Sequence, residues 1–117
     1  MAEFIFKSTV IPFEIKDIDG NILASYPLDV GHLEQTKRWI KEMLELQKVA
    51  EKFSKDETFM DELANVEKNV IVSVFGESAW KELWELFNTN VYVMLSLVQK
   101  LSGVLNEQQA KYYKTSV

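Results

Sequence analysis

FIFKSTVIPFEIKDIDGNILASYPLDV (Phe4–Val30) is the stretch whose reading decides the fold. Its Ile, Val, Phe and Tyr side chains suit a pleated, half-buried surface. Asp19-Gly20 stands between two such runs, a strong short-range hairpin signal. The alternation predicts strands over Ile11–Lys16 and Asn21–Tyr26. Ile11, Phe13 and Ile15 then share one face, and Ile22, Ala24 and Tyr26 share another. The leading FIFKS (Phe4–Ser8) is either a third strand or an extended arm, and Pro12 marks an edge or a break. Pro27 and Gly31 close the strand region.

Beyond Gly31 the period changes from two to about 3.6. A helix is predicted from His32 to Phe53, with Thr36, Ile40, Met43, Gln47 and Ala50 on one stripe. Leu33, Leu44, Leu46, Val49 and Phe53 widen that stripe into a core face. Ser54 and Glu57 have capping-box spacing, so a second helix should begin near Lys55. Its stripe is Phe59, Leu63, Val66, Val70 and Val74, and Gly76 stops it. A short helix follows from Glu77 to about Phe87. Asn88–Asn90 separates it from a last helix bearing Val91, Met94, Leu95, Val98, Leu101 and Leu105. Gly103 should weaken the end of that helix, and Lys111–Val117 reads as a flexible tail. The expected fold is therefore α+β, an N-terminal β-hairpin packed on a bundle of three to four α-helices. It forms one domain, residues 1–117, with a hairpin region (1–30) and a helical region (31–110).

The composition excludes several classes of function. At 117 residues the chain can bury a core without covalent staples. It has no cysteine, which removes disulfides, thiolate nucleophiles and Cys-ligated metals. A net charge of -5 disfavours a phosphate backbone as partner. The opening MAEFIFKSTVIPF lacks the basic start and long apolar run of a signal peptide. No apolar run approaches the ~18 residues that span a bilayer. Neither nucleic acid nor membrane is expected as a partner. Charge is also uneven: Asp56–Phe87 holds eight acidic and two basic residues, and the first helix five basic and four acidic. That asymmetry favours head-to-tail association of copies or, more plainly, reflects solvated faces.

No catalytic, cofactor or metal constellation emerges. With Gly20 at the glycine position of an EF-hand loop, the first and last ligand positions fall on Ile15 and Tyr26, neither of which can bind calcium. His32, the sole histidine, has no partner at ligand spacing and reads as a helix cap. Asp61, Glu62, Glu82 and Glu85 fall on polar helix faces. The helix after Gly76 offers one lysine among three glutamates, a poor groove reader. Trp80, Leu83, Trp84 and Phe87 lie on one helix face at i, i+3, i+4 and i+7. Core packing explains such a face, yet so small a domain seldom hides three tryptophans completely. Partly exposed aromatics anchor interfaces, which makes Trp39, Trp80, Trp84 and Tyr92 the candidate protein-binding residues.

The run VFGESAWKELWELF (Val74–Phe87), followed by NTNVYVMLSLVQKLSGVLNEQ (Asn88–Gln108), resembles the end of the tail assembly chaperones of long-tailed phages of Gram-positive bacteria. In that family a helix enters a Phe-Gly-Glu turn, then come a short aromatic helix, an Asn-containing break and a final apolar helix. The matching residues are Phe75, Gly76, Glu77, Ala79, Leu83, Phe87, Asn88, Asn90 and Leu95. The hairpin PFEIKDIDGNILASYPLD (Pro12–Asp29) and the helix opening at HLEQ (His32–Gln35) fit the family's start. Lys52–Asn69 matches only in helical character. The resemblance implies a non-enzymatic protein of the infected cell's cytoplasm. It would coat the apolar tape measure protein until tail tube protein polymerises around it, and it would be absent from the finished particle. Without the resemblance, a small acidic regulatory or antitoxin-like binding module is the alternative.

Overall fold

Alternation produces the ladder close to where it is expected. In the computed structural model, which describes residues 2–116, β1 (Val10–Lys16) pairs antiparallel with β2 (Ile22–Asp29). The second strand runs past Tyr26 and through Pro27. Pro27 lies opposite Pro12, with Phe13 opposite Tyr26 beside them. Two prolines face each other without loss because residues at a non-hydrogen-bonded pair send their N–H groups outward. The connecting turn is closed by Asp17, whose Oδ1 accepts from the N–H groups of Asp19 and Asn21, each at 2.9 Å. The Asn21 side chain adds a further bond to this carboxylate and, as the largest cause, draws its pKa below the usual value. The turn thus uses the oxygens that a calcium loop would need. Residues 2–9 form no strand, which makes the leading segment an arm.

Four helices follow: α1 (Leu33–Ala50), α2 (Glu57–Phe75), α3 (Glu77–Leu86) and α4 (Val91–Ser116). His32 caps α1, its Nδ1 accepting from Gln35 N–H at 3.1 Å. The first helix stops at Ala50, short of Phe53. Asp56 rather than Ser54 caps α2, by accepting from Thr58 N–H at 2.8 Å. The Ser54 hydroxyl instead accepts from Asp56 N–H at 3.1 Å and holds the cap in place. β-Branched residues within α2 do not break it, because Val66, Val70, Ile71 and Val74 are buried there at helical spacing. The central element is α2, which touches α1, α3, α4 and β2. The hairpin docks on its end through Phe75, with ring centroids 5.8 Å from Phe13 and 5.3 Å from Tyr26.

Gly76 joins α2 to α3 at φ 93°, ψ 173°, a region that side chains strongly disfavour. A Cβ there would meet nothing within 4 Å, so the constraint is backbone strain alone. Gly76→Ala should therefore lower stability by about 1–3 kcal/mol in chemical denaturation without moving neighbouring side chains.

The final helix runs further than the pattern alone predicts. α4 continues through Gly103 to Ser116 (Val117 lies outside the described residues). A glycine inside a helix costs about 1 kcal/mol. Here Leu101 and Leu105 are buried on either side of it. Further along, Gln109 Nε2 donates to the Val30 carbonyl at 3.0 Å and to Thr36 Oγ1 at 3.3 Å. These bonds hold the end of α4 to the beginning of α1.

Candidate protein-binding surfaces

Of the expected anchors, Trp39 and Trp80 are largely buried. They are 5% and 7% exposed and belong to the core cluster. The reason lies in the phase of α1. Its inward line is Trp39, Met43, Leu46 and Val49, rotated from the expected stripe so that the largest side chain is buried. Trp80 is buried with Ala79 and Leu83 on the inner face of α3. Trp84 stacks on it, with centroids 4.9 Å apart and planes 18° apart, and stays half-buried. Trp84 and Tyr92 are the more exposed of the four expected residues, and Tyr92 is half exposed.

Rotation of α1 has a consequence. Leu33, Ile40 and Leu44, expected in the core, are exposed along the outside of the helix. They border two hollows of about 280 Å³ each on the seam between α1 and α4. Thr9, Val30, Leu33 and Tyr112 line one, Trp39, Ile40, Met43 and Leu44 the other, and Gln109 belongs to both.

A second apolar surface lies at the opposite end of the bundle. Phe53, exposed, meets Phe59 edge-on at 5.8 Å. The Tyr92 hydroxyl donates to Met60 Sδ at 3.7 Å, which brings the start of α4 to the same end of α2. Leu86 and Val93 are exposed on the two sides of the α3–α4 corner. Asn88 and Thr89 shape that corner at φ 53° and 54°. Asn90 then caps α4 by accepting from Tyr92 and Val93 N–H at 3.0 and 3.1 Å. The corner thereby fixes where Tyr92 and Val93 point.

Electrostatics add one residue that sequence reasoning missed. Glu67 is fully buried, and neither carboxylate oxygen has a hydrogen-bond partner. Burial raises its pKa to about 8, so it is uncharged at neutral pH. Its position was legible: residue 67 lies four after Leu63 and four before Ile71, on the buried face of α2. It lines neither seam hollow and has no second carboxylate beside it in the core. Asp61, Glu62, Glu82 and Glu85 are exposed, and Glu82 Oε2 accepts from the Tyr26 hydroxyl at 2.7 Å. Desolvation first, then this carboxylate, pushes the Tyr26 pKa up to about 12. Among the described residues no group of three or more His, Cys, Asp or Glu is placed to hold a metal. No described helix is long and apolar enough to cross a membrane. No family model, curated protein or solved structure matches the chain.

Proposed function

We propose that this chain is a tail assembly chaperone, which binds the tape measure protein and keeps it soluble while the tail is built. It acts in the cytoplasm of the infected bacterium, has no catalytic role and is left out of the finished particle. The observation that carries the reading is that its exposed apolar side chains fall in more than one separate patch. Leu33, Ile40 and Leu44 lie along α1, while Phe53, Leu86, Tyr92 and Val93 lie at the far end. A regulatory module with one globular partner needs a single continuous patch. A protein that covers a long rod by repetition needs one surface for the rod and another for its neighbours.

The far end is the surface for the rod. Tyr92 and Val93, held by the Asn90 cap, present a fixed aromatic and aliphatic pair to an apolar helix. Trp84 stands behind the corner as a half-buried support. Exposed acidic residues, Asp61, Glu62 and Glu85 among them, keep the coated rod hydrated.

Co-expression tests this. Tape measure protein should be recovered in the soluble fraction with the intact chain, and should fall at least tenfold with Tyr92→Asp/Val93→Asp. Both positions are solvent-exposed, so the variant should keep its melting temperature. Precipitation of tape measure protein despite abundant folded chain would overturn the proposal.

A further inference from the structure

The arm before β1 carries Glu3-Phe4-Ile5-Phe6-Lys7-Ser8. Phe4, Ile5 and Phe6 are 90%, 69% and 83% exposed, the most concentrated run of uncovered apolar side chains among the described residues. The chain is pinned just after them. Thr9 Oγ1 donates to Asp29 Oδ1 at 2.8 Å, and the Thr9 carbonyl accepts from Val30 N–H at 3.3 Å. A Cβ on Gly31 would lie 2.9 Å from Thr9 Oγ1, so the glycine leaves room for this seat. The arm is therefore anchored at its base while its three large side chains have no cover of their own.

From these features we infer that the arm of one copy lies in the α1–α4 groove of a second copy, joining copies head to tail. The spacing fits. In an extended arm Phe4 and Phe6 point the same way about 7 Å apart. Ile40 and Leu44 stand one helical turn apart, about 6 Å along α1. Seven extended residues reach about 23 Å, longer than the ~17 Å from Leu33 to Leu44. The groove also offers polar partners for an incoming backbone. The Gln47 and Asn106 side chains line it and make no hydrogen bond among the described residues. Charge agrees as well: Glu3 precedes Phe4, and Lys41, beside Ile40, has no ion-pair partner among the described residues.

Donor and acceptor are different surfaces, so the contact is heterologous and each added copy exposes a new arm and a new groove. The two aromatic rings bury roughly 400 Å² on the arm and a similar area on the groove. The total of about 800 Å² lies at the weak, transient end of protein interfaces. That size predicts reversible, concentration-dependent growth rather than a fixed dimer. The inference names the surfaces behind the self-association that a rod-coating chaperone needs. It does not depend on the identity of the rod.

Sedimentation velocity over a concentration series tests it. The intact chain should show a weight-average mass that climbs steadily with concentration. Phe4→Asp/Phe6→Asp, which spoils only the arm, should be monomeric, as should Ile40→Asp/Leu44→Asp, which spoils only the groove. The substituted positions are at least half exposed or nearly so, and circular dichroism of both variants should match the parent. Mixed together, the two variants should form a one-to-one dimer and nothing larger, because each retains one half of the contact. A chain that stays monomeric throughout, an arm variant that keeps the parent's mass distribution, or variants that fail to pair would each overturn the inference. A chain that polymerises in this way but leaves tape measure protein insoluble would refute the proposed function alone.

Discussion

Stability of this protein should fall as pH rises from about 4.5 to about 8, and Glu67→Gln should abolish most of that fall. The carboxyl is fully buried, with no hydrogen bond to either oxygen. Desolvation lifts its pKa in the folded state from 4.5 to about 8. Because the folded pKa is the higher one, the neutral acid costs nothing extra below the unfolded value. The unfolded chain loses its proton first as pH rises, so stability drops through the window and levels off above the folded pKa. At about 1.4 kcal/mol per unit, the whole drop is on the order of several kcal/mol. That is comparable with the entire stability of a small domain. Glu67→Leu should go further, since it also removes two buried oxygens without partners, worth about 1–3 kcal/mol. Urea denaturation at pH 5, 7 and 9 measures both effects. The difference between parent and variant isolates Glu67, because every other titrating group is shared. Parallel pH profiles for parent and Glu67→Gln would show that the carboxyl is hydrated in the folded protein.

Trp80→Ala should cost about 3–5 kcal/mol, the usual range for removing a large aromatic from a core. Its indole is 7% exposed and sits among α3 residues that are themselves buried. Trp84→Ala should cost less than half as much. Both variants lose the same ring stack, worth about 0.5–1.5 kcal/mol, but Trp84 is only half-buried and removes less apolar area from the core. Denaturation midpoints of the two variants give the comparison. Equal and small losses would return Trp80 to the surface as a binding residue. Trp39→Ala belongs with Trp80→Ala for the same reason of burial.

The contrast shows what the sequence carries and where its information stops. Asp19-Gly20, Gly76 and Asn88–Asn90 are local signals, and each marks a real boundary in the structure. Gly20, Gly76 and Asn88 suit the positive φ found at these points, so such signals read correctly without tertiary knowledge. The order of hairpin and four helices follows from them. Phase is harder to read. On α1 both Ile40 and Trp39 are apolar neighbours, and either can lead a stripe. Packing of α1 into the bundle decides for Trp39, leaving Ile40 and Leu44 outside. The same limit explains Lys111–Ser116, which has little helical pattern of its own and continues α4 beyond the anchor at Gln109. Of the candidate surface, Tyr92 was legible as an exposed aromatic. The groove was not, because it arises from the packing of two helices distant in sequence.

Stoichiometry against client length tests the central claim most directly. Tape measure fragments of increasing length, each purified with the chain, should carry a number of copies that rises in proportion to the fragment, as read by multi-angle light scattering. One or two copies per fragment at every length would mean a discrete binding site, and would contradict a protein built to coat a rod.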